Sequence, residues 1–240
     1  MKLEEYKSGN YIKMNDYKAF IPSKINYNWG WDDTKLDKLL AEANRQIGEL
    51  NAYSLLIPNV DLYIKMHVKI EANKSSRIEG TRTTVEEDLL YIQSKGMLDK
   101  SCLYISDYIE RNKDTYYDML TRVRTHNDMI AWIKFFLEAV IETSKTAKEK
   151  FRNVVELTME MDKVIMDLPV KPENAKKVLD VLYDEPIVSR KKIIEKTGIK
   201  FTTLVGVINA FQEKQILIET TGYSRNQVFA FQKYIDLFLK

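Results

Sequence analysis

Glu79 is the residue whose type and setting most clearly suggest chemistry. It lies in the polar segment NKSSRIEGTRTT, directly before Gly80 and four residues after Ser75. A carboxylate at this position can bind a cationic group such as an arginine, and a glycine commonly ends a helix. The alternative is a solvated carboxylate, or one paired locally with Arg77 or Arg82, worth under about 1 kcal/mol when exposed.

Histidine and cysteine side chains, which could do catalytic or metal chemistry, are few in this sequence. The chain has two histidines, His67 and His126, and one cysteine, Cys102. We expect His67, flanked by apolar residues, to be a core histidine. We expect His126 to be a solvated loop histidine, with a role as general base as the alternative. No cluster of His, Cys, Asp and Glu has the spacing of zinc ligands, so we predict no metal site and an inert Cys102.

A second set of polar side chains, near the C-terminus, could contact nucleic-acid phosphates. Lysine, arginine, threonine and asparagine side chains all donate hydrogen bonds to phosphate oxygens. The candidates would lie on a recognition helix and the loop after it, and they are Lys200, Thr202, Thr203, Asn209, Lys214 and Arg225. Glu195, Glu213 and Glu219 dilute the positive charge, so a protein partner is the alternative to DNA.

Helical periodicity dominates the chain as far as residue 168. Apolar residues repeat at helical spacing over 36–50, 62–70, 129–140 and 151–165. Asp32 or Asp33 can cap the first of these helices. The pattern predicts one helix over 129–140 and a separate long amphipathic helix from Thr143. Residues 1–30 are polar and aromatic, and the stretch FIPSKI predicts an extended lead-in.

After the linker PVKPEN the pattern of apolar residues changes. AKKVLDVLYD, SRKKIIEKTG and FTTLVGVINAFQEKQ predict three helices, the second capped by Ser189 and ended by Gly198. ILIET and VFAF, joined by TGYSRNQ, predict a β-hairpin. Three helices followed by a hairpin is the order of a winged helix-turn-helix domain, which we place at residues 171–240.

Composition restricts the class of protein. Of 240 residues, 45% are hydrophobic and 30% charged, which predicts a folded chain with a substantial core. The net charge of +2 neither suggests nor excludes a nucleic-acid partner. We see no apolar signal segment and no apolar run near the ~20 residues that cross a bilayer. The expected location is therefore cytoplasmic, without a membrane partner, and a single cysteine fits a reducing compartment.

Three segments carry a family resemblance: WDDTKLDKLLAEANRQIGELNA, EANKSSRIEGTRTTVEEDLL and SCLYISDYIERNKDTYYDMLTRVRTHNDMIAWIKFFLEAVIETS. They resemble the Fic family, whose members typically transfer AMP from ATP to a hydroxyl of a target protein. The family's inhibitory pattern, (S/T)xxxE(G/N), is matched by Ser75, Glu79 and Gly80. The resemblance implies that this glutamate pairs with the second arginine of the catalytic motif and blocks seating of the ATP γ-phosphate. The C-terminal region is similar to the winged-helix tail of longer Fic proteins.

The catalytic motif of that family, HPFx(D/E)GNGRxxR, is missing from this sequence. Neither histidine is followed by Pro-Phe, and no GNGR occurs. The break falls near residues 88–93, where a family-typical chain would hold roughly a hundred residues, about one small domain. Transfer to a hydroxyl needs a base, and donors and cations that hold the developing charge. We therefore expect no catalytic residue and no bound cofactor. The resemblance implies ATP and Mg²⁺ only where the core is present.

The expected fold is mainly α: a Fic-like helical body without its catalytic insert, plus a C-terminal winged helix with a small β-hairpin. We assign residues 1–98 to the Fic N-terminal region with the inhibitory helix, 99–170 to the C-terminal Fic helices and 171–240 to the winged helix. Three functions stay open: a catalytically inert Fic-family protein, a DNA- or protein-binding regulator acting through the winged helix, and an active, autoinhibited AMP-transferase whose core this sequence omits. A homo-oligomer is also open.

Overall fold

The computed structural model describes residues 1–64, 103–223 and 226–239 and confirms the mainly α fold with small antiparallel sheets. The chain divides into two compact units. One comprises Met1–Asn51 and Ile70–Ala147, and the other Ala52–Lys69 and Lys148–Lys240. The domain boundaries assigned from the sequence stay a prediction. Within the described ranges, no helix is both long and apolar enough to cross a membrane.

The first unit opens with a β-hairpin. Strands β1 (Gly9–Lys13) and β2 (Lys18–Pro22) pair antiparallel, with Gly9 opposite Pro22 and Lys13 opposite Lys18. The sequence predicts only an extended lead-in here. The hairpin leaves no alternating apolar pattern because most side chains on both of its faces are exposed.

A buried serine attaches the base of this hairpin to the helical part of the unit. Ser8 is 4% exposed, and its N–H donates to Asn127 Oδ1 at 2.8 Å. The Ser8 hydroxyl donates to the same oxygen at 3.0 Å. Asn127 follows a helix end with φ of 57°, a left-handed conformation that asparagine tolerates better than most residues. One side-chain oxygen therefore fixes where the hairpin starts.

Gly9, the next residue, has no room for a side chain. A Cβ at this position would lie 2.2 Å from the carbonyl oxygen of Ile21 and 2.6 Å from Cζ of Phe20. The missing side chain lets the Phe20 ring lie over the opposite strand. Gly9 is therefore required by close backbone approach.

Helix α1 (Thr34–Ser54) begins at Asp33, one of the two caps the sequence predicts. The Asp33 carboxylate accepts from the N–H groups of Lys35 and Leu36, each at 2.9 Å. It also accepts from Lys134 Nζ, an ion pair between groups that are each about a fifth exposed. Hydrogen bonding from Lys134, then from Leu36, lowers the pKa of Asp33. The cap thus also links the start of α1 to a distant helix.

After residue 103 the chain forms helices α2 (Ser106–Arg111), α3 (Lys113–His126) and α4 (Met129–Val164). Within the first unit an aromatic cluster packs them together. Tyr116 contacts Trp132 at 5.6 Å between ring centroids, and Tyr108 contacts Phe135 at 5.7 Å. Such pairs add about 0.5–1.5 kcal/mol each beyond the area they bury.

The prediction of separate helices over 129–140 and from Thr143 is wrong, because α4 is one helix of 36 residues. The polar segment ETSKTAK, which suggested a break, contains neither glycine nor proline. Thr146 donates its hydroxyl to the Glu142 carbonyl at 3.2 Å, one turn earlier. Ser144 is fully buried. Short polar side chains are accommodated in the helix, so polarity alone did not end it.

The C-terminal part of the second unit alternates helices and short strands. The elements are α5 (Pro172–Asp184), β3 (Ile187–Ser189), α6 (Arg190–Thr197), α7 (Phe201–Glu213), β4 (Ile218–Glu219), β5 (Val228–Ala230) and α8 (Gln232–Leu239). The strands form one antiparallel sheet in the order β3-β5-β4. Its core includes the fully buried Leu182, Ile193, Phe211 and Phe229. Helix α8 was not predicted from the sequence.

Replacing Gly9 by alanine tests the close approach in the N-terminal hairpin. We expect Gly9→Ala to separate the strands near Ile21 and lower the free energy of unfolding, because a backbone carbonyl must move. Gly48→Ala is the control, since nothing lies within 4 Å of its added Cβ in α1. That control should be neutral or gain up to about 1 kcal/mol from helix propensity. Urea unfolding measures the stability of both variants. A Gly9→Ala protein as stable as the unaltered chain would contradict the close approach at Gly9.

Candidate functional site

The inhibitory-pattern residues Ser75, Glu79 and Gly80 lie outside the described residues. So do His67 and Cys102. Their assignments therefore remain predictions from the sequence.

His126 is the histidine that the structure describes. It is the last residue of α3, exposed, with its Nδ1 2.7 Å from the Thr125 hydroxyl. Apart from this neighbour, no described residue makes a hydrogen bond or an ion pair with the ring. Among the described residues no group of three or more His, Cys, Asp and Glu could hold a metal ion. Among the described residues, Thr125 is therefore the partner that the His126 ring has.

Helices α6 and α7 form a helix-turn-helix whose ends are fixed by local signals. Ser189 Oγ accepts from the Lys192 N–H at 3.3 Å and caps α6, as predicted. Gly198 ends α6 with φ of 68°, and its N–H donates to the Ile194 carbonyl at 2.8 Å. A non-glycine residue adopts this left-handed conformation only with strain. Ile199, in the turn, is buried and anchors it to the core.

The predicted contact residues fall into two groups along α7. Lys200, Thr202 and Thr203 are exposed together at its start. Asn209 is exposed on the same face as Thr202, seven residues further on, and Lys214 lies just past the helix end. At 1.5 Å per residue, Lys200 and Lys214 are separated by about 20 Å along the axis. Arg225 lies outside the described residues, so the loop's contribution is untested.

One flank of α7 approaches the linker that precedes α5. A Cβ added at Gly206 would lie 3.9 Å from Cγ1 of Val170. Ala210, one turn further along the helix, is only 4% exposed. This flank is closed to a ligand. The open face is therefore a strip through Thr202 and Asn209.

Exposed lysines on α6 were missed by the sequence analysis. Lys191 and Lys192 are both exposed, and the Lys191 side chain is 87% accessible. Arg190 differs, because its guanidinium carbon lies 5.4 Å from the centroid of the buried Phe229 ring. The signal was present in the run Arg-Lys-Lys directly after the cap. From residue 189 to 203 the chain has five basic residues, Arg190, Lys191, Lys192, Lys196 and Lys200, and one acidic residue, Glu195.

Glu219 faces its own loop instead of a ligand surface. Its carboxylate accepts from the Thr221 N–H at 2.9 Å, from the Gly222 N–H at 2.7 Å and from the Thr221 hydroxyl. The Thr221 hydroxyl is the first cause that lowers the pKa of Glu219. The Glu219 charge, expected to dilute the positive charge of the candidate phosphate contacts, thus stabilises the β4–β5 loop instead.

The lowered pKa of Glu219 gives a pH prediction for this loop. A carboxyl whose pKa is depressed on folding contributes stability above its unfolded pKa and loses it as pH falls through the folded pKa. We expect the Thr221 and Gly222 amide resonances to titrate with a midpoint below 4.5, the ordinary value for glutamate. Glu219→Gln should abolish that titration. Glu213→Gln, at the end of α7, should leave it intact. A midpoint at or above 4.5 would contradict the loop geometry.

Comparison with known protein families gives a match in the N-terminal part of the chain. Residues 37–110 match the model of the Fic/DOC family N-terminal region. The match covers most of α1, from Asp37 onward, and all of α2 but its last residue. It also includes the inhibitory pattern predicted at Ser75, Glu79 and Gly80. It ends well before the helix-turn-helix. Over residues 37–110 the chain is therefore similar to the N-terminal region of the Fic/DOC family.

Proposed function

We propose that this chain is a Fic-family protein that does not itself transfer AMP. One observation carries the proposal: its sequence has the family's N-terminal region and inhibitory pattern but no HPFx(D/E)GNGRxxR. Without that loop there is no base beside the target hydroxyl and no row of backbone N–H groups for the nucleotide phosphates. Both are required because a hydroxyl is a weak nucleophile and phosphoryl-type transfer is catalysed by positioning and charge stabilisation.

On this proposal, the glutamate of the inhibitory pattern has no catalytic arginine in this sequence with which to pair. Glu79 would pair with an arginine of the catalytic motif, and that arginine is missing from the sequence. The arginines Arg77 and Arg82 flank Glu79 and offer a local ion pair instead. Such an exposed pair is worth under about 1 kcal/mol.

An AMP-transfer assay tests the proposal. We expect no transfer of label from ATP labelled on its α-phosphate, in the presence of Mg²⁺, to the chain or to a cell extract. Glu79→Gly should be equally inactive, because there is no catalytic arginine to release. Glu86→Gly is the matched control in the same segment. Label transfer that increases in Glu79→Gly alone would instead establish an active, autoinhibited enzyme.

A second function is favoured by the C-terminal geometry: a winged helix that binds duplex DNA. The order helix, strand, two helices and a β-ribbon supports a winged helix, with α7 as the recognition helix. The exposed start of α7 and the lysines of α6 provide donors for phosphate oxygens. Regulation through a bound protein is the alternative, since the open strip through Asn209 carries no lysine or arginine.

Binding to duplex DNA across salt concentrations tests this second function. Lys191→Glu/Lys192→Glu should weaken binding and lower the slope of log K against log salt by about 1.8, because each phosphate contact contributes about 0.9. Lys35→Glu/Lys38→Glu, exposed on α1, makes the same charge change elsewhere and should have little effect. Undetectable binding at low salt would leave a protein partner as the role of this domain.

A further inference from the structure

The outward face of the N-terminal hairpin carries aligned lysines and aromatic rings. In the β1–β2 register Tyr11 lies opposite Phe20, and Lys13 lies opposite Lys18. Side chains alternate along a strand, so these four share one face. The Ser23 N–H donates to the Ser8 carbonyl at 2.8 Å, which continues the pairing past the strand ends. One position further, Lys7 and Lys24 fall on that same face, and we call these six residues the basic–aromatic face.

This face is positively charged without an internal counter-charge. All four lysines are exposed, and none makes an ion pair with a described residue. Between residues 6 and 31 the only acidic residue is Asp16, at the hairpin tip. Like charges directly opposite each other on a sheet are destabilising. The arrangement is therefore complementary to a polyanion.

The rings between the lysine pairs form a platform. The Tyr11 and Phe20 centroids are 5.2 Å apart at an interplanar angle of 60°. Tyr11 is 54% exposed, and the Phe20 ring is held over Gly9 by the close approach described above. The exposed aliphatic residues of the strands, Ile12 and Ile21, belong to the opposite face. A surface for lipid insertion would place aliphatic chains beside the lysines, whereas this one places aromatic rings there.

We propose that the basic–aromatic face binds single-stranded nucleic acid, with the lysines on phosphates and Tyr11 and Phe20 stacked on unpaired bases. Six residues separate the two lysine pairs along a strand, which is about 20 Å at 3.3 Å per residue. That length accommodates a few nucleotides of an extended strand. Duplex DNA hides its base faces and would leave the rings unused. The inference is separate from the proposed functions, because it depends neither on AMP transfer nor on α6 and α7.

Fluorescence anisotropy of the full chain with a labelled oligothymidylate of about twelve nucleotides tests the proposal. We expect salt-dependent binding of the oligonucleotide. In Lys191→Glu/Lys192→Glu, which removes lysines proposed to contact duplex DNA, the oligonucleotide should bind more tightly than the matching duplex. Lys13→Glu/Lys18→Glu should lower the salt slope by about 1.4, at about 0.7 per single-strand phosphate contact. Lys35→Glu/Lys38→Glu is the charge-matched control and should bind like the unaltered chain.

A pair of substitutions at Tyr11 isolates stacking from charge and from folding. Tyr11→Leu keeps an apolar side chain and should weaken binding about tenfold by removing one stacked base. Tyr11→Phe retains the ring and should retain the affinity. Equal affinity for duplex and single strand in the Lys191→Glu/Lys192→Glu chain, unchanged affinity in Lys13→Glu/Lys18→Glu, or binding to phosphatidylserine vesicles without binding to the oligonucleotide would each overturn the proposal. No binding of the oligonucleotide at low salt would overturn it as well.

Discussion

The Asp33 carboxylate is the interaction on which the first compact unit most depends. It caps α1 through two backbone N–H groups and pairs with Lys134 of α4, 101 residues away in the chain. A carboxylate that satisfies helix-end donors and a lysine together stabilises a helix start and a long-range contact with one group. Its low pKa follows from these hydrogen bonds. The aromatic cluster of α2, α3 and α4 then fills the space between the helices.

In the C-terminal domain, polar side chains mainly organise the backbone. Ser189 caps α6, Gly198 turns the chain toward α7, and Glu219 binds the N–H groups of the β4–β5 loop. The Ser189 and Glu219 side chains already accept hydrogen bonds from the protein backbone. The lysines left exposed at α6 and at the start of α7 are the part of the domain that matches phosphate. Because Glu219 is turned toward its own loop, it does not offset the charge of these lysines.

The two proposed nucleic-acid surfaces would recognise different features. A helix presented by a helix-turn-helix fits the groove of a duplex, whereas rings between lysines fit unpaired bases. Neither surface uses the segment around Glu79. A chain that resembles the Fic/DOC N-terminal region over residues 37–110 and has no HPFx(D/E)GNGRxxR motif is thus compatible with the binding roles proposed above. The inhibitory pattern would then be inherited sequence with no arginine to engage in this chain.

The structural features that could be predicted from the sequence depend on residues close together in the chain. The features that were missed depend on contacts between residues far apart in the chain. The ends of α6 and the Asp33 cap could be read from single residues, because caps depend on neighbours within one helical turn. The similarity to the Fic/DOC N-terminal region, too, could be predicted from the residues around Glu79 and the α1 segment. The continuity of α4 and the N-terminal hairpin could not be read in this way. Ser144 is buried in α4 within a polar stretch of sequence, and the base of the hairpin is held by the hydrogen bond from Ser8 to Asn127, 119 residues away. Such contacts exist only once the chain is folded, since no local pattern specifies which distant partner a polar side chain will find.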